Sequence, residues 1–195
     1  MNNLKPLKKN FFIKDAIYVA KSLLNKILVV KNNNKYVGGV ICETEAYLPT
    51  NDPACHAARG ITKRNKVMYA EGGTIYVYFT YGNYYMLNIV AEKKEIPAAV
   101  LIRSLEPKFG IDIMQKNRKK NDIAQLTNGP GKICQALNIN LKYNNTLLGE
   151  KIFIFANLKN LLPKNIITTT RIGINVGADL PLRFYIKDCK FVSRK

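Results

Sequence analysis

The chain has 195 residues, 47% of them hydrophobic, which is enough for a buried core and too apolar for a disordered protein. Lys and Arg number 31 against 13 Asp and Glu, so the formal net charge is +18 and a polyanionic partner such as nucleic acid is favoured. The four cysteines include no C-x-x-C pair and there is one histidine, which argues against a zinc centre or a disulfide framework.

The first half of the chain predicts one helix followed by a set of strands. Apolar residues recur at helical spacing after Asp15, which is placed to cap a helix reaching Leu24. Asn32 to Asn34 predict a turn, and a polar loop runs up to Lys66. Runs of β-branched and aromatic residues predict strands at Ile27–Val30, Tyr36–Glu45, Thr74–Thr80, Tyr84–Val90 and Ala98–Arg103.

The second half predicts two short helices and three more strands. Pro107 stands where a helix would begin, and the helical segment Ile111–Lys120 ends in a basic tail. The turn Gly129-Pro130-Gly131 opens another helix over Lys132–Leu137. The remaining predicted strands are Lys151–Phe155, Ile172–Val176 and Arg183–Ile186.

These elements predict one α+β domain with a mainly antiparallel sheet and flanking helices. We expect the domain to span residues 11–195, after a basic N-terminal tail at residues 1–10. No apolar secretory segment follows that tail, and no apolar run is long enough to cross a bilayer. We therefore expect no signal peptide, no membrane partner and a cytoplasmic protein, associated with the nucleoid in a prokaryote.

Two carboxylates stand close together in a chain that is poor in acids. An AT-rich genome, which favours lysine codons, is an alternative explanation for the positive net charge, but it does not explain why Asp and Glu are so few. Strand alternation places Glu43, Glu45 and Tyr47 on one face. If that face is exposed to water, the two glutamates are ordinary surface residues. If it faces a cleft, they are candidates for acid–base chemistry.

Aromatic residues crowd the segment that follows. Packing in a core is one interpretation, and we favour it for Tyr76. Aromatic rings beside a basic surface are also the means by which proteins stack nucleobases, and a base extruded from a duplex needs a ring on each side. The residues concerned are Tyr76, Tyr78, Phe79, Tyr81, Tyr84 and Tyr85.

Short motifs spread along the chain, in this order and spacing, resemble the alkyladenine (3-methyladenine) DNA glycosylase family of base-excision repair. The resemblance covers about Phe11 to Val192. The motifs are Glu43-Thr-Glu-Ala-Tyr47, His56 with Arg59-Gly60, Arg64-Asn65 before Met68, Gly73-Thr-Ile-Tyr-Val-Tyr78, Tyr81-Gly82, Asn88, Leu101-Ile-Arg-Ser-Leu-Glu-Pro107, Gly129-Pro130 with Lys132, and Pro181-Leu-Arg-Phe-Tyr185.

The resemblance implies two catalytic residues. Glu45 would activate the hydrolytic water, and Arg103 would hold that water from the other side. A carboxylate near C1′ of the sugar both accepts a proton and stabilises the oxocarbenium-like cation. An arginine stays protonated, so it can orient the water but cannot act as the base.

The resemblance also implies the residues that hold the substrate. Tyr47, His56 and Tyr78 would sandwich the flipped base, with His56 hydrogen-bonded to the main chain. Tyr81 would be the wedge that fills the hole left in the duplex. Asn88 would exclude normal guanine by meeting its exocyclic amino group.

Further residues are candidate contacts to the DNA backbone, and for Arg64 this rests on its charge and location alone. Arg64, Tyr84 and Lys132 are the candidates, Lys132 because the turn before it exposes backbone N–H groups at a helix start. Members of the family commonly carry a serine where Gly131 stands here, so this turn offers backbone donors alone.

The implied activity is that of a monofunctional glycosylase that flips alkylated purines from duplex DNA and hydrolyses the N-glycosidic bond to leave an abasic site. Its substrates would be 3-methyladenine, 7-methylguanine and, as an open question, hypoxanthine or ethenoadenine. No metal or organic cofactor is implied, the partner is duplex DNA containing damaged purines, and we expect a monomer.

Two other classes of function stay open at this point. The family's fold is similar to the carboxy-terminal domain of methionyl-tRNA formyltransferase, so a non-catalytic nucleic-acid-binding domain is an alternative. A nuclease would usually need a larger cluster of metal-binding acids than Glu43 and Glu45 provide.

Overall fold

The computed structural model describes residues 4–32, 35–80, 82–156 and 165–194. Most of the predicted elements fall within these ranges. Part of the predicted turn, Asn33 and Asn34, and the predicted wedge Tyr81 lie outside the described residues.

The described residues form a single α+β domain around one curled antiparallel sheet, as predicted. The strand order is β3-β4-β5-β2-β1-β6, and β8 joins β2 and carries β7. The strands are β1 (Ile27–Asn32), β2 (Lys35–Tyr47), β3 (Ile75–Thr80), β4 (Tyr84–Val90), β5 (Ala99–Phe109), β6 (Ile152–Phe155), β7 (Ile166–Thr169) and β8 (Arg183–Ile186).

Three α-helices flank the sheet in the described part of the chain: α1 (Ala16–Leu23), α2 (Ile111–Arg118) and α3 (Pro130–Ala136). Asp15 caps α1 as predicted, because its Oδ1 accepts hydrogen bonds from the backbone N–H groups of Ile17 and Tyr18 at 2.9 and 3.0 Å. None of these helices is both long and apolar enough to cross a bilayer.

Strand β2 is the centre of the fold. It pairs with β1 along its first half and with β8 at residues 43–45, while β5 runs along its other edge. Because its second half has a strand on each side and α1 packs against it, its side chains there are buried, polar ones included. The Thr44 hydroxyl, for example, donates to the Ala20 carbonyl of α1 at 2.9 Å.

The predicted strand Ile172–Val176 is wrong. The backbone bends in this segment, with a positive φ of 78° at Gly173 and 57° at Gly177. The alternating apolar residues belong to a loop in which Val176 is 50% exposed. The strand that pairs with β8 lies earlier, at β7, and its register joins Ile166 to Ile186.

The predicted helix start at Pro107 is also wrong. Strand β5 continues through Pro107 to Phe109, and α2 begins only after Gly110, whose φ is 64°. Pro107 pairs with Gly39 next to a register shift in β2, where a residue without an N–H group is tolerated. A Cβ atom on Gly39 would lie 1.9 Å from the Glu106 carbonyl oxygen, so only glycine allows the two strands to approach here.

Candidate active site

A cavity of about 330 Å³ opens between the end of β2, the β3–β4 hairpin and the loops after β2 and β7. This volume is within the range of pockets that bind small organic molecules. The strands supply its floor through alternation, since Tyr76 and Tyr78 of β3 face it together with Met86 and Asn88 of β4. Its aromatic lining residues are Tyr47, His56, Tyr76 and Tyr78.

Glu45 lies behind the wall of this cavity and is fully buried. Its Oε1 forms an ion pair with Arg103 Nη1 at 3.1 Å and accepts a hydrogen bond from the Ile172 backbone N–H at 2.9 Å. Its Oε2 accepts from the Tyr47 hydroxyl at 2.9 Å. These three partners line the cavity, so the carboxylate is one residue layer away from the space they enclose.

The electrostatics of Glu45 result from opposing effects. Burial raises the pKa of Glu45 above its usual value, and Glu43 adds to this. The charge of Arg103 and the donors of Ile172 and Tyr47 pull the pKa back down. Burial also raises the pKa of Tyr47 well above its usual range, so its hydroxyl stays protonated and donates to Glu45.

A bulge in β5 places Arg103 against Glu45. In the pairing with β2, Thr44 is opposite Ile102 and Glu43 is opposite Ser104, so Arg103 is the extra residue between them. A bulged residue is turned out of the regular alternation and re-aimed. Arg103 consequently reaches both carboxylates, with its Nε 3.3 Å from Glu43 Oε1.

Glu43 is a second buried carboxylate, and it belongs to a different set of partners. It accepts from Arg183 Nη1 at 2.7 Å, from the Ser193 backbone N–H at 2.8 Å and from the Ser193 hydroxyl at 2.9 Å, besides its contact with Arg103. Arg183 and Ser193 were not predicted as site residues. Arg183 falls in the Pro181–Tyr185 motif of the family resemblance, whereas no feature of the sequence indicates that Ser193 folds back onto β2.

His56 lies at the mouth of the cavity and is held by tyrosines. Its Nδ1 is hydrogen-bonded to the Tyr76 hydroxyl at 2.8 Å, whereas a main-chain partner was expected from the sequence. Its ring packs nearly perpendicular to that of Tyr78, with centroids 4.6 Å apart. The guanidinium of Arg64 lies 4.8 Å from the Tyr78 ring centroid, so Arg64 reaches into the cavity mouth in addition to carrying surface charge.

We expect His56 to stay neutral throughout the physiological range. Desolvation and the nearby Arg64 lower the pKa of His56 to about 4. An NMR titration measures this directly, because the chain contains one histidine. The Arg64→Gln variant is expected to titrate at a higher pH, since it removes one of the two causes. A wild-type midpoint near 6.5 would contradict this description of the cavity mouth.

Asn88 is 2% exposed and fixed by the strand pair that carries it. Its Nδ2 donates to the carbonyls of Tyr76 and Met86 at 3.3 and 3.4 Å. The side chain is therefore held in one orientation at the floor of the cavity.

The remaining predicted residues lie at the rim or outside the described residues. The Tyr84 ring packs on α3 where a Cβ atom of Gly131 would be, 2.6 Å from its Cδ1, which leaves no room for a serine at that position. Lys132 donates to Asn128 Oδ1 at 2.8 Å and is half-buried. Tyr81 is outside the described residues, so its position is not part of this description.

A second cleft, of about 690 Å³, opens on the opposite face of the β3–β4 hairpin. Tyr85 lines it, whereas Met86, the next residue of β4, lines the first cavity. The cleft carries the cations Arg118, Lys119 and Lys142, and its lining includes no carboxylate among the described residues.

A carboxylate held by an arginine behind an aromatic cavity, on a strongly basic chain, fits an enzyme that hydrolyses a bond to a nucleobase. The chain belongs to the methylpurine-DNA glycosylase family, whose model matches residues 10–190, and it is a DNA glycosylase of the hydrolase class. The family resemblance predicted from the sequence is thereby confirmed.

Relatives along the full length agree with this assignment. A protein of Francisella tularensis subsp. tularensis is 50% identical over 198 positions that cover all of both chains. One from Carboxydothermus hydrogenoformans is 48% identical and covers 97% of this chain and 99% of its own. One from Clostridium novyi is 44% identical and covers 98% and 100%. Each is provisionally named a 3-methyladenine DNA glycosylase.

Proposed function

We propose that this protein extrudes an alkylated purine, 3-methyladenine above all, from duplex DNA into the aromatic cavity and hydrolyses its bond to the sugar. The observation that carries this proposal is the buried Glu45 carboxylate, held by Arg103 and Tyr47 directly behind the cavity wall. The names of the full-length relatives support the choice of 3-methyladenine.

In this mechanism Glu45 is the general base, and its Oε2 is the oxygen that binds the water. Each carboxylate oxygen has two lone pairs. Within the described ranges, Oε1 accepts from the Ile172 N–H and lies 3.1 Å from the Arg103 guanidinium, whereas Oε2 accepts from the Tyr47 hydroxyl alone. The spare acceptor site can take the proton of a water, and the carboxylate charge stabilises the sugar cation as the base leaves.

The cavity favours a cationic base. A purine alkylated at N3 or N7 is positively charged, so it is already a good leaving group and stacks well on electron-rich rings. Such a cation–π contact contributes roughly 1–2 kcal/mol when it is desolvated. Tyr47, Tyr78 and neutral His56 are the rings assigned to this contact, and Asn88 is assigned to the exclusion of guanine.

Neutral lesions are expected to be poorer substrates. Hypoxanthine and ethenoadenine are neutral, so they must gain a proton before they become leaving groups as good as 3-methyladenine. His56 is the candidate acid in the cavity, and its pKa of about 4 leaves it unprotonated at neutral pH. We therefore infer that cationic lesions are preferred. 7-Methylguanine is also cationic, so it is the proposed substrate after 3-methyladenine.

For the DNA interface we assign Tyr81 as the wedge, with Arg64, Tyr84 and Lys132 near the backbone. Arg64 and Pro130, at the start of α3, line the cavity, and Tyr84 packs against Gly131 of the same helix, so a strand carrying an extruded base would pass here. A binding domain without catalysis would not need a buried carboxylate beside a polyanion, so the alternative of a non-catalytic domain is less well supported.

The decisive experiment uses duplexes that each carry one defined lesion. We expect the protein to release 3-methyladenine and leave an abasic site that alkali cleaves, with undamaged duplex as the control. Omitting the alkali tests for a lyase, because a monofunctional enzyme leaves the strand intact. Alkali-independent strand cleavage would refute the monofunctional assignment, and intact strands for every lesion would refute the proposed function.

Binding to undamaged duplex is expected to weaken steeply with salt. Each phosphate that is neutralised adds about 0.9 to the slope of log K against log salt. We assign the second cleft to phosphate contacts as well, because it carries three cations and no carboxylate in its described lining. Replacing Arg118, Lys119 and Lys142 with Gln is therefore expected to reduce the slope by about 2 to 3. The matched control replaces Lys26, Lys31 and Lys35, which lie on β1 and β2 or just before β1, away from the β3–β4 hairpin. Equal slopes for both triple variants would remove the second cleft from the interface.

A further inference from the structure

Arg171 and Asp52 form an ion pair that is closed to solvent. Arg171 Nη1 lies 2.7 Å from Asp52 Oδ2 and Nη2 lies 2.6 Å from Oδ1, and both side chains are 0% exposed. A buried ion pair costs desolvation, and apolar residues of the same size often stabilise a protein as well or better. A role in placing other groups would account for its presence here.

The pair connects three segments that build the cavity wall. These are the end of β2, the loop that follows β2, and the loop that follows β7. The bidentate geometry of the guanidinium fixes the angle as well as the distance between them. The backbone groups that the pair binds are the carbonyls of Ala46 and Gly177, at 3.1 and 3.2 Å, and the N–H groups of Leu48 and Ala54, at 3.0 and 3.2 Å.

Two of the groups that bind Glu45 are attached directly to this pair. Ile172 follows Arg171 in the chain, and its N–H donates to Glu45 Oε1. Tyr47 follows Ala46, its ring centroid lies 4.7 Å from Arg171 Cζ, and its hydroxyl donates to Glu45 Oε2. A shift of the ion pair would therefore move both donors.

We propose, on the basis of the role given to Glu45 above, that Arg171 and Asp52 are positioning residues that hold the Ile172 and Tyr47 donors against the Glu45 carboxylate. They do not contact the base. They fix one stacking wall and the donors that keep the general base in its working orientation.

A merely structural pair would not affect the ionisation of Glu45. In this proposal the pair affects it through the Ile172 N–H and the Tyr47 hydroxyl, which both donate to the Glu45 carboxylate. The charged or titratable groups around Glu45 are Arg103 from β5, Glu43 and Tyr47 on β2, and Arg171 from the loop after β7. Burial already raises the pKa of Glu45, and the two donors oppose that rise. Loosening them is expected to raise the pKa further, so activity is lost at a higher pH as the solution is acidified.

The test is the double variant Asp52→Asn/Arg171→Met, which removes both charges and leaves no buried ion unpaired. We expect base release in single turnover to slow by about 10- to 100-fold. We also expect the acid limb of the pH–rate profile to move up by about one pH unit, the usual effect of losing a hydrogen bond to a charged group. Tyr47→Phe removes one of the donors and should give a smaller shift in the same direction.

The matched control is Ile152→Ala, a fully buried core residue of β6, remote from the cavity. It lowers the melting temperature without touching the donors, so its acid limb should stay at the wild-type position. If the double variant fails to fold, Arg171→Lys keeps the charge, loses the bidentate geometry, and should still shift the limb upward. The inference is overturned if the folded double variant keeps the wild-type rate of base release and the wild-type acid limb. If the double variant does not fold, the same result for Arg171→Lys overturns it. Full activity of Glu45→Gln would instead overturn the proposed function.

Discussion

Glu45→Gln is expected to lower the rate of base release by about 10³-fold or more, because an amide neither accepts the proton of water nor carries the charge that stabilises the sugar cation. The substitution keeps the shape of the side chain. The Gln carbonyl oxygen can still accept from the Ile172 N–H, and the Gln NH₂ group can donate to the Tyr47 hydroxyl oxygen. Affinity for lesion duplex should therefore change little, and single-turnover release with a separate binding titration measures both.

Glu106→Gln is the matched control for this change. Glu106 lies on β5 next to β2, is partly exposed, and pairs with Lys108 rather than with a cavity residue. The same chemical substitution there should leave base release at the wild-type rate. Retained release by Glu45→Gln would remove the carboxylate from the mechanism, and an equal loss in both variants would point to a general effect on folding.

The part of the site that lies within single strands could be predicted from the sequence. Period-two alternation brings Glu43, Glu45 and Tyr47 to one part of β2, and the Tyr47 hydroxyl does donate to Glu45. The same alternation places Tyr76 and Tyr78 on one face. These predictions succeed because they need only the local direction of side chains along a strand.

The parts that depend on long-range placement could not be predicted. The reach of Arg103 depends on a bulge, which inserts one residue into the pairing of β5 with β2 and has no local signature. The hydrophobic alternation after Arg171 indicates a strand, yet the backbone bends so that the Ile172 N–H meets Glu45, 127 positions away. The Arg171–Asp52 pair joins residues 119 positions apart, and Ser193 reaches Glu43 from 150 positions away.

The two buried carboxylates are neighbours with different surroundings, and this separates their roles. Glu43 is bound by two arginines and by both donors of Ser193, so its charge is well compensated. Glu45 has one arginine and two neutral donors, and its pKa is raised. A carboxylate whose charge is less compensated is the better proton acceptor, which agrees with the choice of Glu45 as the base.

Arg103→Met is expected to lower base release at neutral pH by about 10²-fold or more and to restore much of it in alkaline solution. Arg103 is the cation in contact with Glu45 and lowers the pKa of that carboxyl, so its removal is expected to raise the pKa and favour the protonated form. Because a base works only when deprotonated, activity should return as the pH rises through the new pKa. The pH–rate profile of the variant, on duplex with one methylated purine, measures this.

Arg183→Met supplies the comparison that makes the Arg103 result specific. Arg183 contacts Glu43 but not Glu45, and it is as deeply buried as Arg103. Breaking a buried ion pair costs about 3–5 kcal/mol of stability, so both variants should melt at lower temperature. The acid limb should move only for Arg103→Met, since only that variant removes the cation in contact with Glu45. If the limb moved equally in both, the two carboxylates would titrate as one unit, and the separate assignment of Glu45 would fail.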